Sequence, residues 1–293
     1  MSTRACDTVE CTPAASERRA PLPCEPRTPP PCEPRAPIVY VTGGKGGVGK
    51  TVLAANLCAR LAADGARVLL VDLDLGLADA DVLLQHCAAL GLFDALHDGV
   101  DLAQCVSATA HGFDLLAGVA GEREWAALSA ERRGRLVDGL RALAQRYDLV
   151  VADGSPGIGE DVLAFAAAAD RVLLVTTPDP LALADGYGLL KALHARSEST
   201  EPEIPTPEIV VNRARDLAEA EFTASRLRTV SERFLARSPA WAGWLPESRA
   251  MARTCKVRGR LVDEVPGTSA EACLAALAHR LRPARSPRRA AIR

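Results

Sequence analysis

Residues 43–51 read GGKGGVGKT, five glycines and two lysines in nine positions. Lysine is scarce elsewhere, with only Lys191 and Lys256 besides Lys45 and Lys50, so the pair is no accident of composition. Gly44 to Thr51 fits the phosphate-loop pattern G-x-x-x-x-G-K-[ST]. Glycines let the backbone curl so that the N–H groups of Gly46, Gly47, Val48 and Gly49 face phosphate oxygens. A helix starting there adds the positive end of its dipole. Lys50 supplies a point charge to the β- and γ-phosphates, and the Thr51 hydroxyl can ligate Mg²⁺. The expected ligand is ATP with Mg²⁺. Gly44, Gly46 and Gly49 also satisfy G-x-G-x-x-G, with Asp72 as the acid of a dinucleotide site. Lys50 and Thr51 decide against that reading, because a nicotinamide site needs neither.

Such a loop needs a strand before it and a helix after it. From residue 38 short apolar runs alternate with helical stretches. Strands are expected at 38–42, 67–72, 113–117, 149–153, 172–176, 208–211 and 243–245. Helices are expected at 51–63, 78–90, 129–146, 159–168, 181–196, 216–236 and 270–281. Several strands are continuous β-branched and leucine runs, as burial on both faces requires. The alternation predicts an α/β fold with a doubly wound, mostly parallel sheet over about 37–283.

Two of these strands end in acid, one at Asp72-Leu73-Asp74 and one at Asp153. Ligands of an open parallel sheet sit beyond the carboxyl ends of its strands, so these carboxylates should face the loop. Asp153 fits a carboxylate holding Mg²⁺ through water, Asp72 a second metal-shell carboxylate, and Asp74 the group that orients an attacking water. Either Asp72 or Asp74 could instead cap the next helix. Asp79 and Asp81 read as a solvated helix start. In Asp153-Gly-Ser-Pro-Gly157, the Gly157 N–H is placed to sense the γ-phosphate.

The remaining composition narrows the function class. The chain is 48% hydrophobic and 25% charged with a net charge of −2, which marks neither a nucleic-acid binder nor a membrane protein. No apolar run approaches the roughly 20 residues that span a bilayer, and no leader-type segment opens the chain, so a cytoplasmic protein is expected. The nine cysteines are scattered without a C-x-x-C pair, which argues for reduced thiols rather than a metal site. Residues 1–36 are proline-rich, repeat Pro-Cys-Glu-Pro-Arg, and lack the apolar content to order themselves. Residues 284–293 form a basic tail. Its arginines are suited to anionic lipid, to nucleic acid, or to solvent alone, and its prolines leave no apolar helical face, so membrane association is expected to be weak or absent.

With these residues in view, the sequence resembles the deviant-Walker-A ATPases of the MinD/ParA group, whose extra signature lysine is matched by Lys45. The resemblance implies that Lys45 reaches the phosphates of a second subunit, so that ATP binding drives homodimerisation, with Lys45, Lys50 and Asp74 catalytic. Finer matches, such as VDLDLGLADADVLL at 71–84 and DGSPGIGEDVLAF at 153–165, point to the flagellar-number regulators of FlhG, FleN and YlxH type. That likeness implies control of flagellar placement or number, a flagellar GTPase or a transcription regulator as partner, and Asn212 as the residue that recognises adenine. It also raises peripheral attachment at the inner face of the cell membrane. The tail at 1–36 lacks the glutamine-containing activator helix often found in that group. Two other readings stand beside it. One is a ParA-like partitioning ATPase that binds DNA without sequence preference, through Arg249, Arg253, Arg258 and Arg260. The other is a nucleotide-gated regulator with little turnover.

Overall fold

The apolar runs become strands enclosed on both faces. In the computed structural model, which describes residues 35–76, 78–118, 128–199, 203–248 and 267–282, β1 (Ile38–Gly43) and β2 (Val68–Leu73) are buried at every position. The other strands are β3 (Val106–Ala108), β4 (Asp114–Leu116), β5 (Leu149–Pro156), β6 (Arg171–Thr176), β7 (Glu208–Ala214) and β8 (Ala240–Pro246). They form one eight-stranded sheet in the order β3-β4-β2-β5-β1-β6-β7-β8. Only the β3–β4 pairing is antiparallel. β1 therefore lies inside the sheet, and its carboxyl end opens between those of β5 and β6.

Alternation along each strand divides the core in two. Tyr40, Leu69, Val71, Val150 and Leu174 face one side. There they meet α4 (Ala130–Leu143), α5 (Glu160–Ala168), α6 (Pro180–Ser197) and α7 (Leu217–Leu235). Val39, Val41, Leu70, Val151 and Leu173 face the other side, against α1 (Lys50–Ala63) and α8 (Ser269–Leu281). Side chains start several helices: the Asp179 carboxylate accepts from Leu181 N ahead of α6, and Asp216 accepts from Glu219 N ahead of α7. Both leave fewer amides of the first turn unpaired.

Three expectations change. The helix expected over 78–90 shrinks to α2 (Ala80–Leu84), because Gln85 takes a left-handed conformation at φ 51° and closes it. A second short helix, α3 (Leu92–His97), follows Gly91 instead. β3 had no apolar run to announce it and pairs only along the sheet edge. At the amino end, Arg35 and Ala36 already pack on the domain. The Arg35 guanidinium pairs with Asp170 at 2.7 Å, and Ala36 N donates to Ala144 O. Residues 1–34 and 283–293, with Arg249, Arg253, Arg258, Arg260 and Trp125, lie outside the described residues. Trp241 and Trp244 pack, partly buried, against the core. Among the described residues no helix is long and apolar enough to cross a membrane.

Candidate nucleotide site

The glycine loop leaves β1 and turns directly into α1. Gly44 passes so close to α6 that a Cβ there would lie 2.1 Å from the Asp185 carbonyl oxygen. Gly47 and Gly49 hold φ of 77° and 94°, a region open to glycine at little cost. Gly49 caps α1, so Lys50 and Thr51 are its first residues and its free amides point into the loop. From β7, Asn212 Nδ2 donates to Val48 O at 2.8 Å, while Asn212 Oδ1 accepts from Arg213 N at 2.9 Å. Both ends of this buried amide are thus engaged. In this arrangement Asn212 braces the loop from behind.

Charge gathers beneath the loop. Lys50 is only 7% exposed, and burial lowers its pKa against the opposing pull of Asp153 and Asp74. Asp72 and Asp153 are register partners on β2 and β5, each 1% exposed. Their surroundings differ. Asp72 accepts Asp74 N at 3.0 Å on one oxygen and Ala80 N at 3.1 Å on the other, so it folds the β2–α2 turn. Neither oxygen of Asp153 has a hydrogen-bond partner. Burial and then Asp72 push Asp153 up to about 8, while the nearby Thr51 side chain and Lys50 oppose this without a bond of ordinary geometry. Burial pushes Asp72 up to about 7, eased by the two amides.

These partners separate the two candidate metal carboxylates. A buried carboxyl whose oxygens have no partner, beside the Thr51 side chain and the Lys50 ammonium, is suited to lose its proton to a divalent cation, so Asp153 and Thr51 fit Mg²⁺. Each Asp72 oxygen accepts one backbone amide, so Asp72 folds the turn and keeps a lone pair on each oxygen for a water of the metal shell. Among the described residues no group of His, Cys, Asp and Glu could hold a metal alone. Mg²⁺ takes much of its shell from phosphate and water. The described cysteines Cys58, Cys87, Cys105 and Cys273 are free thiols.

The remaining site residues sit above. Asp74 is held by Ser155, whose hydroxyl donates to Asp74 Oδ1 at 3.1 Å and so links the ends of β2 and β5. Gly157 N donates to Gly43 O at 3.0 Å, at the root of the loop. Lys45 forms an ion pair with Asp179 at 2.9 Å, both half-exposed. A pocket of about 550 Å³ opens beside the loop, lined among others by Lys45, Val48, Thr177, Asp179, Arg213 and Glu247. Sequence reasoning did not find Ser155 or Asp179 as site residues. Asp179-Pro180 carried only the signal of a helix start.

A glycine loop between a central parallel strand and its helix, with a buried lysine and a buried strand-end carboxylate beneath, is the architecture of the P-loop NTPase fold. The comparisons agree. An AAA domain family matches residues 36–205. The antiactivator FleN of Pseudomonas aeruginosa is 30% identical over 244 residues, 83% of this chain and 85% of that protein. The flagellum site-determining protein YlxH of Helicobacter pylori is 36% identical over 154 residues, 52% of each chain. Among solved structures, the septum site-determining protein MinD of Pyrococcus horikoshii, complexed with Mg-ADP, superposes with a TM-score of 0.65 at 20% identity, covering 83% of this chain and 94% of that one. The chain belongs to the MinD/ParA family of P-loop ATPases, on the branch that includes FleN and YlxH.

Proposed function

We propose that this chain is a cytoplasmic, ATP- and Mg²⁺-dependent switch that dimerises, hydrolyses ATP slowly, and regulates the placement or number of flagella. The observation that carries the nucleotide reading is the Asp153 carboxylate, buried with both oxygens unpartnered beside Lys50 and Thr51. Backbone amides of residues 46–51 and the Lys50 ammonium would hold the phosphates. Thr51 and Asp153 would hold Mg²⁺, which when bound neutralises developing charge on the phosphate oxygens. Asp74, fixed by Ser155, orients the attacking water. Lys45 stands at the surface on the rim of the pocket, where a second copy can reach it once it leaves Asp179. The flagellar role rests on the likeness to FleN and YlxH, whose names describe an antiactivator and a flagellum site-determining protein. A transcription regulator or a flagellar GTPase would be the partner. DNA partitioning needs the basic stretch of Arg249, Arg253, Arg258 and Arg260, and no described residue favours it.

Calorimetry with ATP and Mg²⁺ tests the site, and light scattering tests the dimer. Lys50→Ala should abolish nucleotide binding. Lys45→Ala should bind ATP and remain monomeric. An unchanged ATP-dependent dimer in Lys45→Ala would remove the trans-acting lysine, and absence of ATP heat in the wild type would remove the whole reading. Phosphate release measured in the same preparation separates an enzyme from a binding switch that does not turn over.

A further inference from the structure

Tyr40 occupies the third position of β1 and is 1% exposed. Its ring lies on the sheet face covered by α5, with its centroid 6.3 Å from that of Phe165. The hydroxyl reaches the last residues of β5, just past Asp153. A Cβ at Gly154 would fall 2.3 Å from the Tyr40 oxygen, so glycine at 154 is what lets the tyrosine fit. The same strand end carries Ser155, the residue that holds Asp74.

The Tyr40 hydroxyl has no hydrogen-bond partner. Thr42, the nearest side chain that could serve, directs its own hydroxyl to Ser155 O at 3.4 Å. Burial, and then the negative charges of Asp153, Asp74 and Asp161, outweigh Thr42 and keep the phenol protonated far above its ordinary range. It is therefore a proton donor at any working pH. A buried donor without an acceptor is costly, and such groups are rare in folded proteins. Phenylalanine would fill the same volume without that cost.

We infer that Tyr40 is a positioning residue for hydrolysis. When nucleotide is bound, its hydroxyl donates to a backbone oxygen at the end of β5 or in the bend at Gly157, and so fixes Ser155 and, through it, Asp74. The inference rests on the ATPase reading above and names a residue of the reaction that the loop motif does not contain.

Tyr40→Phe in the full chain tests it, because the ring stays and only the donor goes. Without nucleotide the variant should melt roughly 2–4 °C above the wild type, since an unpaired buried hydroxyl has been removed. With ATP and Mg²⁺ the gain in Tm on binding should be smaller than in the wild type. Turnover should fall roughly tenfold in kcat as Asp74 loses its support, and KM should rise severalfold, in step with the smaller gain in Tm, because the hydrogen bond already forms in the nucleotide-bound state. A side chain that merely fills space would leave kcat and the nucleotide-induced gain unchanged, and that result overturns the inference. A lower Tm without nucleotide overturns it too, because the hydroxyl would then have been bonded all along. If the wild type itself hydrolyses no ATP, the ATPase reading fails and takes this inference with it. If the wild type hydrolyses and Tyr40→Phe matches it, only the Tyr40 inference falls.

Discussion

Replacing Asp153 with asparagine and unfolding both forms in chelator from about pH 5 to about pH 8 isolates the group on which the metal site depends. An aspartate in the unfolded chain ionises near its ordinary value of 3.8, whereas Asp153 in the folded chain keeps its proton up to about 8. Between those values the folded form carries one more proton than the unfolded form, so stability falls as pH rises, by about 1.4 kcal/mol per unit. From about pH 5 to about pH 7 the loss is roughly 2.7 kcal/mol, or about 5–10 °C in Tm for a domain of this size. Asp72, pushed up to about 7 by burial, adds a slope of its own, so Asp153→Asn keeps part of the dependence. The decisive quantity is the gap between the two curves. It should open in favour of Asp153→Asn as pH rises and stop growing above about 8. The same proton must leave when Mg²⁺ arrives with nucleotide. Calorimetry near neutral pH in buffers of different ionisation enthalpy should therefore show proton release for the wild type and none for the variant. Parallel stability curves over the whole range would refute the argument that burial, unrelieved by any partner, holds Asp153 protonated.

Two further outcomes follow from the loop geometry. Gly49→Ala places a side chain at φ 94° and sets its Cβ 2.4 Å from Asn212 Nδ2; it should cost at least about 1–2 kcal/mol in urea unfolding and weaken ATP binding. Asn212→Ala removes the brace on Val48 O; it should cost about 1–3 kcal/mol and lower affinity for ATP and GTP by the same factor, whereas a residue that read the base would change their ratio.

The fold and the loop could be read from the sequence because their signals are local. Short apolar runs rich in β-branched residues fit strands covered on both sides, and Lys50-Thr51 after a glycine run fits a phosphate loop. The pairing of Asp72 with Asp153 was half legible: both strand ends carried acid, but which one lacked partners depended on the Asp74 and Ala80 amides. The helix expected at 78–90 failed where Gln85 turned left-handed, a choice that no periodicity encodes. Asn212 carried no local signal for its role, since its acceptor is Val48 O, 164 residues earlier. Tyr40 looked like one more apolar strand residue, because its contact with Gly154 exists only after β1 and β5 have paired.

The reach from Asn212 to Val48 also sets an order of events during synthesis. The glycine loop, its strand and its helix emerge within the first third of the domain, yet the amide that steadies the loop belongs to β7, which docks on β6. A nascent chain that has not yet released residue 212 carries the glycine loop without the hydrogen bond that steadies Val48. The final curl of the loop thus arrives late, after most of the sheet has assembled.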